Sequence, residues 1–363
     1  MKIAIWLSLA LFLYPYLFYP LLLKLLGKPK PLPNWPLNWP RVTLLITAYN
    51  EEQFLREKLD NTLALDYPDL EIIIVSDGST DKTNAILVDY PKLKTIVLPK
   101  RQGKPAALKA GLAEATGDII CFSDVSALFR VDSLKWLVTA LLEPSTGAAG
   151  GILSLVASSD STLGESTYSD YETKLRTLET NLGGTIVIPG TFYVLRKEDV
   201  TLPPLNIIAD DFYITCSLLQ KNKKLVQVNK AIAYEQATHS TFEEFHRKSR
   251  IIAGGIQTLS KFPGLLVSKW GFFIISHKIL RWAAALTGLI HFVLLIISNL
   301  YPWLMTGEII LIALALLGIL WEKMSESTPR PLALLRHFLV VNVAVFWGFG
   351  GLLLGRQTVK WKR

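Results

Sequence analysis

Residues 3–26 form an almost unbroken apolar run that carries one charge, Lys24. That is long enough for a bilayer core, which takes roughly 20 helical residues. An uncleaved membrane anchor is expected here. A secretory signal peptide is the competing reading, weakened by the length of the run, by Lys2 as the only preceding charge and by the lack of a small-residue cleavage site. Beyond residue 40 the pattern changes to alternation. Apolar runs at 42–48, 71–76, 95–98 and 118–122 are followed by amphipathic ones at 51–65, 81–89, 104–115 and 132–142. Strand alternating with helix predicts a mainly parallel α/β sheet, with ligand sites at the carboxyl ends of its strands. From about residue 150 to 235 the alternation loosens. Strand-like pieces at 152–156, 185–188, 192–195 and 225–228 surround helix-like ones at 166–181 and 211–220, which predicts an α+β half. Residues 238–255, THSTFEEFHRKSRIIAGG, read as an amphipathic interfacial helix with a Ser/Thr-x-x-Glu cap at Ser240 or Thr241. Further apolar stretches at 282–297, 303–321 and 332–354 bring the expected membrane segments to four.

The segment 27–40, GKPKPLPNWPLNWP, holds five prolines and no helical or strand period, and so reads as a stiff linker. The expected organisation is an anchor over 1–26, this linker, a catalytic domain over 41–237, interfacial helices over 238–280, about three spans over 281–355 and a basic tail over 356–363. Composition agrees with a membrane protein: 50% of residues are hydrophobic and the mean hydropathy is +0.34. The net charge of +8 raises nucleic acid as a partner, yet the basic residues cluster beside the apolar runs. They are Lys24, Lys28 and Lys30; Lys278 and Arg281; Arg330 and Arg336; and Arg356, Lys360, Lys362 and Arg363. Cytoplasmic flanks under the positive-inside rule explain the charge, and no nucleic-acid partner is expected. Lys28 and Lys30 then place the catalytic domain in the cytoplasm, on a plasma (inner) membrane. Four spans with that domain inside leave the basic tail outside, against the same rule, so one span is re-entrant or the tail is an exception. Cys121 and Cys216 sit in apolar segments and read as buried free thiols. No HExxH or clustered histidine spacing occurs among the five histidines, and His291 reads as a packed polar residue.

Each predicted strand of the alternating region ends in a polar cluster: TAYNEE, SDGSTD, KRQGKPAALKAG and SDVS. Singly each is an ordinary turn. Together they line one edge of a sheet, and a pocket with Asp77, Lys104 and Asp124 beside helix N-termini suits a nucleotide with its phosphates. Neither GxxxxGK[ST] nor GxGxxG is present, which argues against a P-loop enzyme or a dinucleotide oxidoreductase.

Residues Thr47 to Glu52, Asp77 to Ser79, Gly103-Lys104 and Asp124 resemble the inverting glycosyltransferase family 2, over roughly residues 41–255. With its flanking spans the chain looks like the membrane-bound, cellulose-synthase-like branch of that family. The resemblance implies the nucleotide-diphospho-sugar transferase fold (GT-A, Rossmann-like). It also implies transfer from a nucleoside-diphosphate sugar, UDP being the usual donor, to a membrane-proximal lipid or polysaccharide acceptor. Carried over by position, Thr47 and Glu51 belong to the donor pocket, Asp77 accepts from the base, Lys104 lies near the diphosphate, and Ser79 and Thr80 cap the next helix. Asp124 matches the first acid of the Asp-x-Asp element, which holds ribose and a divalent cation, while Ser126 replaces the second. Metal binding, by Mg2+ or Mn2+, would then rest on Asp124 and diphosphate oxygens. Asp210-Asp211 fall where the family carries its Thr-Glu-Asp base element; Asp211 is expected as the base and Asp210 as its modulator or a helix cap. The Gln-x-x-Arg-Trp element of processive members matches only at Arg250. Arg247 and Arg250 share a helix face and would meet diphosphate, acceptor or lipid headgroups. A catalytically silent, nucleotide-binding subunit of a polysaccharide-assembly complex is the other reading, kept alive by Ser126 and the incomplete last element.

Overall fold

The computed structural model of the chain describes residues 1–29, 31–156, 163–236, 240–325 and 328–355. Lys30, Thr238 and the basic tail from Arg356 to Arg363 lie outside the described residues. Contacts divide the described residues into two compact units: those within 28–154 with 179–235, and those within 1–27 with 155–178 and 236–355.

The first unit is built on an eight-stranded sheet. Its strands are β1 (Val42–Ala48), β2 (Leu70–Ser76), β3 (Lys94–Val97), β4 (Ile119–Asp124), β5 (Leu128–Phe129), β6 (Thr146–Val156), β7 (Phe192–Arg196) and β8 (Lys224–Gln236). They lie in the order β3-β2-β1-β4-β7-β6-β8-β5. β1 pairs in parallel with β2 and β4, and β2 with β3, whereas β4/β7, β6/β7 and β5/β8 are antiparallel. The alternation predicts a mainly parallel α/β sheet; the α/β character holds, but the parallel part is confined to β3-β2-β1-β4, and β7 joins β4 antiparallel, which makes the sheet mixed. Val42, Leu44, Leu45 and Ile46 of β1 are all fully buried, as a central strand covered on both faces requires. β3 is an exposed edge strand at one end of the sheet, paired with β2.

Two expectations shift. The helix expected over 51–65 spans only Leu55–Leu63. Asn50 adopts a left-handed φ of 54°, so the chain turns through residues 51–54 before winding. The segment 185–188 forms no strand. Thr185 makes a single bridge to Leu225 and donates its hydroxyl to Glu179 Oε2 at 2.6 Å, and Pro189, with no N–H to give, stops the pairing. β5 has only two residues, too few to leave a period in the sequence.

Among the described residues the second unit holds four helices long and apolar enough to cross a membrane: Lys2–Leu26, Gly271–Ser298, Pro302–Met324 and Arg330–Leu353. The amphipathic helix runs over Thr241–Leu259, with the Ser240 hydroxyl accepting from the Glu243 N–H at 3.2 Å, as the capping pattern predicts. It packs closely on Arg330–Leu353, where a Cβ at Gly348 would meet the Ser249 carbonyl oxygen at 2.5 Å. Buried charges in this unit are paired: Glu172 with Arg281 and His277, and Glu244 with His337. His291 bonds Ser8 Oγ at 3.1 Å and the Ile5 carbonyl at 3.0 Å, so it is a packed polar residue.

Candidate active site at the carboxyl edge of the parallel strands

Parallel pairing brings the ends of β1, β2 and β4 to one edge. Ala48 lies opposite Ser76, and Thr47 opposite Asp124. The loops that follow are stitched together by side chain to backbone bonds. Asn50 Oδ1 accepts from the Thr80 N–H at 2.8 Å, and the N–H groups of Glu51 and Glu52 donate to Thr83 Oγ1 at 2.8 Å and Asp81 Oδ2 at 3.0 Å. Ser79 and Thr80 therefore serve this stitching rather than capping the helix Thr83–Val88. Asp81 takes the capping part, its Oδ1 accepting from the Thr83 N–H at 3.0 Å. Glu51 is 9% exposed beneath this edge.

Asp77 is 4% exposed, and its two oxygens accept from the backbone N–H groups of Gln102 and Gly103, each at 2.7 Å. Gly78 allows that closeness. Its φ is +65°, and a Cβ there would sit 2.4 Å from both Lys100 C and Arg101 N. The carboxylate thus fixes the loop after β3, and each oxygen keeps a second lone pair. Arg101 of the same loop lies 3.7 Å over the Tyr49 ring.

Gly103, with φ of 100°, turns the chain into the helix Lys104–Glu114. Lys104 Nζ lies 2.7 Å from Asp124 Oδ1 and 3.5 Å from Asp210 Oδ2. Burial disfavours its charge, but the two carboxylates outweigh burial and hold its pKa above the ordinary lysine value. The sheet edge and the start of the helix Asp210–Gln220 so meet at one ammonium. Beside it, burial and the adjacent Asp210 carboxylate push the Asp211 carboxyl up to about 6, against the pull of Lys104. Asp211 Oδ1 accepts from the Phe212 N–H at 2.7 Å, while Gly190 passes so near that a Cβ on it would meet Asp211 Oδ2 at 2.1 Å. Ala209, the residue before the helix, provides no side-chain cap, and Asp210 is turned to Lys104.

Ser126, two residues beyond Asp124, donates to Glu235 Oε1 at 2.6 Å. A carboxylate from the end of β8 thereby reaches the turn that carries Asp124. Among the described residues no group of three or more His, Cys, Asp or Glu side chains is arranged to hold a metal ion. The oxygen donors on hand, Asp124 and Glu235, suit a hard cation completed by phosphate oxygens. Arg247 and Arg250 belong to the other unit, where Arg247 is ion-paired with Glu165.

Residues 43–200 match the profile of glycosyl transferase family 2. Over this stretch the chain is similar to family 2 glycosyltransferases. It is 30% identical over 254 residues to an uncharacterized glycosyltransferase, YaiP, of Escherichia coli, covering 66% of this chain and 63% of that protein. It is 24% identical over 249 residues to a poly-beta-1,6-N-acetyl-D-glucosamine synthase of Staphylococcus epidermidis, covering 65% of this chain and 60% of that one. The chain thus spans about three fifths of the length of these relatives. Among solved structures it is similar to the mannosyltransferase PcManGT from Pyrobaculum calidifontis, in complex with GDP-Man and Mn2+, with a TM-score of 0.76 and 23% identity over 98% of this chain and 99% of that one. That likeness shows the fold: the GT-A sugar-transferase fold expected from the sequence, helices included.

Proposed function

We propose that the chain is a membrane-bound, inverting glycosyltransferase of the cellulose-synthase-like kind. It moves a sugar from a nucleoside-diphosphate sugar to a membrane-proximal lipid or polysaccharide acceptor. The observation that carries this reading is the single ammonium of Lys104 held between Asp124 of the sheet edge and Asp210 beside Asp211. It joins a donor pocket to a raised carboxylate suited to take a proton. In the reaction Asp211 removes the acceptor hydroxyl proton, that oxygen bonds to the anomeric carbon from the side opposite the diphosphate, and the bond from that carbon to the diphosphate oxygen breaks. Configuration inverts. Lys104 stands where the leaving charge develops. Asp124 and Glu235, the latter bonded to Ser126, are the oxygen donors that fit a divalent cation, Mg2+ or Mn2+, whose charge when bound would offset that of the departing diphosphate. The Glu235 carboxylate also weakens the silent-subunit reading, since the turn with Ser126 does not lack a second acid.

UDP is the donor nucleotide that the family resemblance favours, and the mannosyltransferase of the same fold holds GDP-Man. Purified full-length chain with Mn2+, offered UDP- and GDP-sugars in turn, is expected to release the nucleoside diphosphate from one class. Release from neither, by protein that is folded, would leave the silent-subunit reading in its place. Lys28, just past the first apolar helix, supports a cytoplasmic catalytic domain. Protease added to intact cells is therefore expected to spare residues 41–235, and cleavage within them would refute that orientation.

Asp77 provides a separate check on the donor pocket. Asp77→Ala removes both acceptors that hold Gln102 and Gly103 and the lone pairs left for a base. It is expected to weaken nucleotide binding by about 1–3 kcal/mol, the scale of hydrogen bonds to a charged group. Unchanged affinity in the folded variant would reduce Asp77 to a turn residue.

A further inference from the structure

Lys58 lies in the middle of the helix Leu55–Leu63 and is completely buried, a place where an unpaired ammonium is not tolerated. Its Nζ donates to Ser123 Oγ at 2.8 Å and to the Ala127 carbonyl oxygen, and it lies 3.7 Å over the Phe129 ring. The three protons of an ammonium thus have two acceptors and a ring face to meet. Ser123 passes the contact on. Its hydroxyl donates to the Asp124 carbonyl at 3.0 Å, the same oxygen that the Ala127 N–H approaches at 3.4 Å. Lys58 therefore grips both ends of the turn Asp124-Val125-Ser126-Ala127. That turn presents Asp124 to Lys104, and Ser126 to Glu235. One helical turn on, Asn61 takes hold of the next stretch, exchanging two bonds of 2.8 Å with the backbone of Phe129.

A methionine would fill the same volume without the desolvation of a charge, so packing alone gives no reason for a lysine here. We infer that Lys58 is a positioning residue of the donor site: its buried ammonium sets the Asp124–Ala127 turn from beneath, and so sets where Asp124 and the Ser126–Glu235 pair stand toward the diphosphate. The inference rests on the donor-site reading above and adds to it a residue that touches neither substrate nor metal.

The test is calorimetric binding of UDP and of GDP, each with Mn2+, to the detergent-solubilised full chain, with folding checked by circular dichroism. Lys58→Met is expected to weaken whichever nucleotide the natural protein binds by about tenfold to a hundredfold. Ser123→Ala, which breaks one end of the grip, should weaken it by roughly threefold to tenfold, and Ser123→Thr, which keeps the hydroxyl, should stay within about twofold of the natural protein. Loss in Ser123→Ala with recovery in Ser123→Thr is a pattern that a packing role does not produce. Folded Lys58→Met with affinity within about twofold of the natural protein overturns the inference. Where Lys58→Met does not fold, unaltered affinity in Ser123→Ala overturns it in the same way. Failure of the natural protein to bind either nucleotide sinks the donor-site reading itself, and this inference with it.

Discussion

Asp211→Asn is expected to lower turnover by roughly 10²–10⁴-fold, the usual worth of a positioned general base, while nucleotide affinity stays near normal. The asparagine keeps the size of the side chain and an oxygen that still accepts from the Phe212 N–H, a bond of 2.7 Å in the natural protein. What it loses is the ability to take a proton. The pH dependence follows from the same carboxyl, pushed up to about 6 by burial and by Asp210. The base works only when ionised, so turnover should rise as pH increases through about 6 and level off above it. Asp210→Asn removes the neighbouring charge and lets the Asp211 pKa fall, which moves the acid limb of that profile to lower pH. It also frees Lys104 from a contact of 3.5 Å, so some loss of turnover accompanies the shift, smaller than that of Asp211→Asn. Equal loss in the two variants, or nearly full activity in folded Asp211→Asn, would show that the acidic pair only starts a helix.

What the sequence discloses of this site depends on how local the signal is. Asp77 and Asp124 are legible because each closes a buried apolar run, and strand ends in an α/β sheet face one edge. Lys104 is legible because glycine and proline flank it at a helix start. Glu235 is not. It lies 109 residues from Ser126, and only the folded sheet brings β8 to that turn. Lys58 is hidden for the opposite reason: a lysine in an amphipathic helix reads as solvated, and only the structure shows it fully buried. The pairing of Arg247 with Glu165 is not legible either, because the two lie on separate segments that only the fold brings together. The helix boundaries erred where side chains compete for the backbone, as Thr83 and Asp81 do for the N–H groups of Glu51 and Glu52.

Gly190→Ala offers a way to disable Asp211 without touching it. The backbone at Gly190 lies outside the left-handed region, so alanine can adopt it, and the only obstacle is steric. The new Cβ would stand 2.1 Å from Asp211 Oδ2 and 2.6 Å from its Cγ, distances at which something must move. Pro189 fixes the chain on one side of Gly190, and on the other Phe192 is fully buried in the sheet, so the backbone has little room to retreat. The carboxylate is the part that yields. A displacement on the order of 1 Å at a reacting group costs about 10²-fold in rate. Turnover in Gly190→Ala is expected to fall by that order, with nucleotide affinity unchanged, because Asp77, Lys104 and Asp124 are not in its path. The double variant Gly190→Ala/Asp211→Asn decides between this account and a general loosening of the domain. If the alanine acts by displacing the base, it adds little once the base is gone, and the two losses are far from multiplicative. Multiplicative losses, or a folded Gly190→Ala protein with full turnover, would mean that the position of Asp211 against Gly190 does not govern the reaction.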